Sequence, residues 1–512
     1  MLSILIWLPV LGALLVLCMG SDQHANKARA IAVTTAVINL LLCVPLYLGF
    51  NNQSYEMQFI EFHSWIPVYH INYAIGIDGI SLLMVILTNF TGLLVMIAAC
   101  TMVKKRVSQY LANFLILQGM MVGVFCAMDA ILFYIFWEGM LIPMYLSIGI
   151  WGGRDRSYAS IKFFLYTFLG SILMLVAILY LNHETGSFMI EKYYGLPLTL
   201  TVQKWLFFAF LLAFAVKIPM WPVHTWLPDA HTEAPAGGSV VLAALMLKLG
   251  IYGFLRFSLP IAPLAASALA WFMIVLSLIA IIYIGLITIV QTDMKKLIAY
   301  SSIAHMGFAT LGCFMMYDIV THMRTLEDAY MSLEGAVIQM ISHAFGSGAM
   351  FLGVGLLADR FYNHSRLIKD YGGVANTMPV FAAFFMLFAM SNVGLPGTAG
   401  FVGEFMVILS AFQVHFWVAA FATLTLVLSA SYTLWMYKRV FFGPIANQQV
   451  AEMKDITWSE KINYILLAAG VLFLGLYPAP IINAMHATIG HLLTQSLPPQ
   501  LAFNVPKEIF YS

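Results

Sequence analysis

The chain has 512 residues, of which 62% are hydrophobic and only 9% charged, and its mean hydropathy is +0.90. A soluble protein of this size has no interior large enough for so much apolar surface, so the apolar runs are expected to be membrane spans of about 20 residues each. The net charge of +1 gives no reason to expect a nucleic-acid partner. The composition therefore predicts an all-α polytopic membrane protein, a single membrane domain over residues 1–512 that has the lipid bilayer as its surroundings.

The sequence carries no recognisable cofactor or metal motif. The five cysteines, spread from Cys18 to Cys313, form no C-x-x-C pair, so neither an iron–sulfur cluster nor a disulfide framework is indicated. Walker and G-x-G-x-x-G loops are absent. His224 and His231 stand near Asp229, but their spacing lacks the helical geometry of a zinc motif. We therefore expect no cofactor and no metal in this chain.

Fourteen apolar runs are predicted to span the membrane, near residues 2–20, 29–49, 79–100, 111–128, 130–150, 160–181, 203–222, 239–258, 264–289, 296–316, 329–357, 378–410, 413–437 and 461–482. They are grouped as three N-terminal spans (1–100), two five-span sets (111–258 and 264–441) and a last span (461–482). Because five is odd, the second set, spans 9–13, runs inverted in the membrane relative to the first set, spans 4–8.

The orientation follows from the lysines and arginines of the loops. One set of loops holds 16 of the 24 basic residues, Lys295 among them, whereas the other set holds five, namely Lys192, Lys204, Arg256, Arg324 and Lys507. Cytoplasmic loops are richer in lysine and arginine, so the first set is predicted to be cytoplasmic. An even number of spans then places both termini on the outer, periplasmic side.

Two apolar runs are interrupted next to a charge. In AFAVKIPMWPVHTWLPDAH (213–231), Lys217 precedes Pro219 by two residues, and in LPGTAGFVGEF (395–405) a Pro/Gly break precedes Glu404. A charge inside a bilayer costs about 2.5–3.5 kcal/mol on insertion scales, and proline removes a helix hydrogen bond. Each break falls in the fourth span of its five-span set, and such paired interruptions are the best sequence indication of a transport pathway.

Titratable side chains inside the spans are the candidate functional residues: Glu138, Lys217, Lys248, His305 and Glu404, with His343 as a sixth among small residues. A carboxylate about 4 Å from a buried ammonium stabilises the charged pair by roughly 4 kcal/mol at an effective dielectric near 20. Movement of Glu138 away from Lys217 would therefore favour proton release from Lys217. Lys248, His305 and Glu404 are the successive acceptors that we expect, with water bridging the gaps.

Structural roles remain open for several of these residues. A membrane histidine such as His305 commonly hydrogen-bonds one helix to another, and Glu138 or Glu404 can pair locally with a buried donor. Lys162, near the start of its span, is placed to reach the membrane interface. A structural role is least expected for Lys217 and Lys248, since an unpaired lysine deep in a membrane is costly.

Several motifs together resemble those of one membrane protein family. They are FWEGMLIPMY (136–145), AFAVKIPMWPVHTWLPDAH (213–231), the Lys248 helix, QTDMKKLIAYSSIAHMGF (291–308) and LPGTAGFVGEF (395–405). In these stretches the chain is similar to the antiporter-like membrane subunits of respiratory complex I, the NADH:quinone oxidoreductase. The resemblance covers residues 75–445, and the number of predicted spans agrees with that of the family.

The resemblance implies roles for the titratable residues. Glu138 and Lys217 match the coupling ion pair, Lys248 the central relay lysine and Glu404 the outlet residue. Three further residues, Lys162, His305 and His343, match or lie close to auxiliary positions of the polar axis. Other branches of the family typically carry lysine at the second break, so Glu404 indicates one branch in particular.

The resemblance also implies a function and partners. We expect a proton-translocating subunit without a redox centre of its own, in a bacterial inner membrane, with FMN, iron–sulfur clusters and quinone held by other subunits. The expected partners are other membrane subunits of complex I, above all two neighbouring antiporter-like subunits. The alternatives are a subunit of a multisubunit Na⁺/H⁺ antiporter, a subunit of a membrane-bound hydrogenase, and a scaffold in which the buried charges only fix helix packing.

Overall fold

A computed structural model describes residues 1–20, 22–322 and 326–498 of the chain. Arg324 and Lys507, two of the basic residues used to predict the orientation, lie outside the described residues. The helices are α1 (Leu2–Cys18), α2 (Ala25–Leu48), α3 (Gly79–Met102), α4 (Val107–Cys126), α5 (Ala130–Gly139), α6 (Leu141–Trp151), α7 (Arg156–Thr185), α8 (Leu200–Lys217), α9 (Trp226–Glu233), α10 (Ala236–Ile261), α11 (Pro263–Ala268), α12 (Ala270–Ile289), α13 (Met294–Thr321), α14 (Leu326–Arg360), α15 (Val374–Thr377), α16 (Pro379–Val393), α17 (Ala399–Phe412), α18 (Phe416–Phe441), α19 (Gln448–Ala451), α20 (Trp458–Leu476) and α21 (Ala479–Ser496).

Within the described ranges, twelve helical segments are long and apolar enough to cross a membrane. The apolar helices α1, α16 and α17 are shorter. If α1 crosses and α16 with α17 forms one interrupted span, the count reaches fourteen. The structure is therefore that of a multi-span helical protein, while the fourteen spans and the two five-span sets remain predictions.

One element departs from the all-α prediction. Strands β1 (Gln58–Ile66) and β2 (Ile71–Ile77) form an antiparallel hairpin, in which Phe62 lies opposite Ala74. Several polar contacts hold the hairpin against the bundle. Glu61 pairs with the N-terminal ammonium of Met1, and the Asn72 backbone N–H donates to Asp129 Oδ2 at 3.0 Å. The prediction missed these strands because only the end of β2 is buried, so the segment has a mixed apolar and polar pattern.

The first predicted break is confirmed. Helix α8 ends at Lys217, shortly before Pro219 and Pro222, which have no backbone N–H to continue it. The carbonyl oxygen of Val216, next to the break, accepts a hydrogen bond at 2.9 Å from Trp226 Nε1, which lies beyond the break. The interruption is therefore closed by protein groups, as an apolar environment requires.

The second predicted break is also confirmed. Helix α16 ends at Val393, and α17 begins at Ala399. Gly394 and Gly397 between them have φ angles of +83° and +87°, a region that side chains with a Cβ rarely adopt. Glycine thus permits the chain to leave one helix and start the next within a few residues.

Helix α10, which carries Lys248, is irregular in a way that the sequence does not reveal. Two π-helical turns, Leu242–Met246 and Phe254–Ser258, lie on either side of the regular turn that holds Lys248. Such wide turns change the helical hydrogen-bonding pattern and occur frequently at functional sites.

The most buried helices are those that carry the candidate residues. The apolar stretches of α10 and α13 are 100% buried and that of α14 is 94% buried, against 33% for α2 and for α20. Helix α14 packs against α10, α13 and α17 and so lies at the centre. The outer helices present large apolar side chains such as Trp205 and Leu476 to the surroundings, as expected for contact with lipid.

Candidate functional site

Glu138 and Lys217 do not form the direct ion pair that the resemblance implies. Glu138 Oε1 instead accepts a short hydrogen bond from Ser171 of α7. The Lys217 side chain is buried, its Nζ has no hydrogen-bond partner, and it lies 5.2 Å from the centroid of the Trp137 ring. Glu138 and Lys217 therefore interact electrostatically without direct contact, because the serine holds the carboxylate and the indole face receives the ammonium. Their role as the coupling pair stays a prediction.

Lys162, which was predicted to reach the membrane interface, forms an ion pair. Its Nζ lies 2.8 Å from Asp229 Oδ2, in an ion pair whose side chains are 17% and 30% exposed. Asp229 belongs to α9, the short helix that follows the first break. Because Lys162 and Ser171 both lie on α7, this one helix contacts the break segment and Glu138.

Lys248 is fully buried and has two partners. Its Nζ donates a short hydrogen bond to the carbonyl oxygen of Ala243, which lies in the first π-helical turn of α10. The same Nζ lies 2.6 Å from Nδ1 of His343 on α14. The wide turn and the histidine together satisfy an ammonium that would otherwise be unpaired in the core.

Glu404 and His305 form the next contact. His305 Nδ1 lies 2.7 Å from Glu404 Oε1, and Gln339 Nε2 donates to the same oxygen at 3.1 Å. Glu404 is 1% exposed, and its second oxygen has no hydrogen-bond partner. The ring of His305 lies 5.8 Å, centroid to centroid, from the ring of His343.

The structure thus brings four predicted residues into one sequence of contacts, Lys248, His343, His305 and Glu404, which we call the central chain. Its members come from α10, α14, α13 and α17, and each is at most 5% exposed. Lys217 makes no direct contact with it. Helices α8 and α10 nevertheless approach closely, because a Cβ on Gly250 would lie 2.5 Å from Ile218.

His231 is a buried polar residue that sequence reasoning placed in an open cytoplasmic loop. It lies in α9, is fully buried and stacks on Phe351 with ring centroids 4.4 Å apart. Neither ring nitrogen has a hydrogen-bond partner, and both Lys248 and Lys295 lie within electrostatic range of the ring. The absence of lysine and arginine from residues 219–238 was the available signal that this loop is folded inward.

Lys295 was also assigned to an exposed loop, and that prediction is wrong. It lies in the first turn of α13, is 4% exposed and donates to the Ala234 carbonyl at 2.7 Å. Ala234 lines a cavity of about 360 Å³ together with Glu233 and Arg366, which pair at 3.2 Å. Arg366 also pairs with Asp293 at 3.3 Å, so one guanidinium is shared by two carboxylates beside this cavity.

Arg256 is a second basic residue that sequence reasoning misplaced. It was assigned to an outer loop, but it lies in the second π-helical turn of α10 and forms a buried ion pair with Asp78. Asp78 caps α3, since its Oδ1 accepts from the Ser81 amide at 2.9 Å. Arg256 also donates to Tyr252 Oη and to Ser81 Oγ, each at 3.2 Å. The pair therefore fixes α10 against α3 two helical turns beyond Lys248.

The bundle has an apolar outer surface, two broken helices and a buried chain of lysine, histidine and glutamate side chains. These features define an ion-translocating membrane protein of the antiporter type. Comparison with known proteins makes the class specific. The sequence model of the family described as NADH:quinone oxidoreductase/Mrp antiporter matches residues 127–429. The chain belongs to this family.

Close relatives cover nearly the whole chain. It is 47% identical to NADH-quinone oxidoreductase subunit M of Rhodobacter capsulatus, over 96% of both chains. It is 41% identical to NADH-ubiquinone oxidoreductase chain 4 of Marchantia polymorpha, over 96% of this chain and 97% of that protein. A chain of respiratory complex I from Thermus thermophilus superposes with a TM-score of 0.87 at 28% identity, over 97% of this chain and all of that one. The assignment from Glu404 to the subunit M branch, subunit 4 in mitochondria, is confirmed.

Proposed function

We propose that the chain conducts protons through a buried path formed by Glu138, Lys217 and the central chain. As a subunit M homologue, it is a proton-translocating membrane subunit of NADH:quinone oxidoreductase. The observation that supports this path is the unbroken sequence of contacts from Lys248 to Glu404 in the core of a membrane bundle. Proton transfer requires donor and acceptor atoms within hydrogen-bond reach or one water apart, and the Lys248–His343 and His305–Glu404 contacts meet that condition directly.

The middle step of the central chain runs between two histidines. Their ring centroids are 5.8 Å apart, so facing ring edges are close enough for transfer directly or through one water. Neutral imidazole offers one donor and one acceptor nitrogen, so each ring can accept a proton on one side and release it on the other. Nε2 of His305 and Nε2 of His343 are both buried without a hydrogen-bond partner, which leaves them free for this role.

The uptake side is proposed to be the cavity lined by Glu233, Ala234 and Arg366. Lys295 connects this cavity to the interior through its bond to the Ala234 carbonyl, and His231 lies beyond it with both ring nitrogens free. A proton taken up at the cavity then passes by way of His231 to Lys248. The cavity adjoins the loops that the lysine and arginine distribution predicts to be cytoplasmic, so the direction is from cytoplasm to periplasm, with both termini on the periplasmic side.

Glu138 and Lys217 are proposed to act as the control element. In the arrangement seen here, Glu138 is hydrogen-bonded to Ser171 and makes no direct contact with Lys217. If Glu138 leaves Ser171 and approaches Lys217 to about 4 Å, the charged form gains roughly 4 kcal/mol at an effective dielectric near 20. Closing and opening of this pair would then alternately load Lys217 and discharge it toward Lys248. Lys162, paired with Asp229, holds the break segment in place during this change.

The energy is proposed to come from redox chemistry in other subunits. NADH oxidation and quinone reduction would occur where FMN, iron–sulfur clusters and quinone are bound, and none of these is assigned to this chain. The change would reach Glu138 through adjoining membrane subunits, of which the two neighbouring antiporter-like subunits are the proposed contacts. The location is the bacterial inner membrane.

A Na⁺/H⁺ antiporter subunit and a scaffold are the competing functions. An antiporter would carry out proton movement without added NADH, and it would require a sodium gradient. A scaffold would tolerate apolar replacement of its buried charges, because such replacement is often neutral for stability.

One experiment separates these possibilities. We would measure NADH-driven proton uptake in inverted membrane vesicles that carry Lys217→Ala, with Lys192→Ala at an exposed position as the matched control. Native gels and NADH oxidation by a water-soluble acceptor would report assembly. The proposal predicts loss of pumping and of coupled quinone reduction in the assembled Lys217→Ala complex alone. Unchanged pumping would show that the buried charge is structural.

A further inference from the structure

A cluster of two histidines and one aspartate lies at the far end of α13, about 20 Å along the helix from His305 at 1.5 Å per residue. Asp318 is in the last turn of α13, His322 directly follows that helix, and His415 directly precedes α18. Their possible ligand atoms all lie within 4.8 Å of one another. Two chain segments, the end of α13 and the turn before α18, therefore converge on one point, and none of these residues takes part in the path proposed above.

The carboxylate at the centre of this cluster is unusually placed. Asp318 is 6% exposed, although it carries a charge. Its Oδ2 lies 2.6 Å from His415 Nε2, in an ion pair when that histidine is protonated, and Trp271 also interacts with the carboxylate. Its Oδ1 lies 3.6 Å from His322 Nδ1, which contacts the Asp318 carbonyl oxygen at 2.9 Å. Two histidine nitrogens thus face one buried carboxylate, which is the type of donor set that holds a cation.

The donor set matches zinc. Zn²⁺ binds imidazole nitrogen and carboxylate oxygen at about 2.0–2.2 Å in tetrahedral sites, so its ligand atoms lie roughly 3.3 Å apart. Asp318 Oδ2 lies 2.6 Å from His415 and Oδ1 lies 3.6 Å from His322, and one ligand atom of each residue lies within 4.8 Å of the others, so small side-chain rotations bring the set to that spacing. The side chains of His322 and His415 are 49% and 31% exposed, so both rings have room to turn. Trp271 packs against His415 with ring centroids 4.8 Å apart and covers one side of the cluster.

We propose that Asp318, His322 and His415 bind a zinc ion, with the fourth position open to water. The ion would connect the end of α13 to the turn between α17 and α18. If the proposed function holds, these are the helices of His305 and Glu404, so a bound cation restrains the movement of two relay partners and slows pumping. Binding itself does not depend on that function.

The test is zinc binding to the purified respiratory complex that contains this chain. We would measure stoichiometry and affinity for Zn²⁺ alone by equilibrium dialysis, and the intensity of the Co²⁺ absorption bands after cobalt is added in place of zinc. The variants are Asp318→Asn and His415→Gln, with His63→Gln on the exposed hairpin as the control. NADH-driven pumping without zinc reports that each variant folds and assembles.

The expected result is the loss of one zinc equivalent, or an affinity lower by about tenfold or more, in Asp318→Asn and His415→Gln but not in His63→Gln. The Co²⁺ absorption bands of a four-coordinate site should disappear in the same two variants. Zinc should also inhibit pumping less in these two variants. Equal stoichiometry and affinity in all four proteins would overturn the site, whereas zinc binding without any effect on pumping would keep the site and remove only its proposed consequence.

Discussion

His343 Nδ1 lies 2.6 Å from Lys248 Nζ, although the two residues are 95 positions apart in the chain and lie on different helices. This contact connects the irregular helix α10 to the central helix α14. It also makes His343 the residue through which Lys248 reaches His305 and Glu404. A residue that sequence analysis ranked sixth thus occupies the connecting position of the central chain.

Replacement of His343 should interrupt that chain. In His343→Ala no side-chain acceptor remains beside Lys248, so NADH-driven pumping by the assembled complex should fall severalfold or more. Ser342→Ala, one residue away on the same buried helix, is the matched control, because Ser342 Oγ has no partner to lose. Equal pumping in both variants would show that protons leave Lys248 by another path.

Close packing beneath Glu404 gives a second prediction. A Cβ on Gly403 would lie 2.7 Å from the Gln339 backbone nitrogen, so Gly403→Ala must push α17 away from α14. Overpacking of this kind costs about 1–3 kcal/mol, and it should lengthen the contacts of Glu404 with His305 and Gln339.

We expect lower thermal stability of the complex and slower pumping in Gly403→Ala. The control is Gly346→Ala on α14, where the nearest atom would be 3.5 Å away and the helix propensity improves. A stable, fully active Gly403→Ala complex would contradict the tight coupling of α14 to α17.

The Lys162–Asp229 pair predicts non-additive effects. If the two side chains act together to hold the break segment, Lys162→Met and Asp229→Asn should each reduce pumping, and the double variant should be no worse than the more damaged single one. Residues in direct contact give such coupling, whereas independent residues give additive effects. Multiplied losses in the double variant, measured as pumping rates in the same vesicle preparation, would count against a shared role.

The Asp78–Arg256 pair is expected to matter for stability rather than for transfer. Asp78→Asn leaves a buried guanidinium without its charge partner, which costs about 3–5 kcal/mol in such pairs. The double replacement Asp78→Leu with Arg256→Met removes both charges and should recover much of that loss. Thermal denaturation of the purified complex measures this. A single variant as stable as the native protein would mean that the pair contributes little.

The sequence could identify the path residues that interrupt long apolar runs. Lys217, Lys248 and Glu404 stand out because a charge in such a run is expensive, and the proline and glycine next to two of them mark the helix breaks. The cost of these charges and the positions of the breaks can both be inferred from residues that are neighbours in the sequence. The contacts of His343 cannot, because they depend on how α14 packs between three other helices.

Other features were missed for definite physical reasons. Arg256 and Lys295 lie close to the ends of apolar runs, where basic residues normally face water, and only tertiary packing buries them. His231 falls in a predicted loop because α9 is a single short helix that follows the first break. The zinc cluster escapes notice because Asp318 and His415 are separated by almost a hundred residues, and the hairpin because its burial is confined to one end.

The central claim is that Lys248 passes protons along the contacts to Glu404. The most direct test is NADH-driven pumping by the assembled complex carrying Lys248→Met, which removes the ammonium and keeps an apolar side chain of similar length in a fully buried site. The account predicts that pumping and coupled quinone reduction both fall to a small fraction of the native rates, while NADH oxidation by a water-soluble acceptor stays unchanged. Native pumping rates in this variant would contradict it.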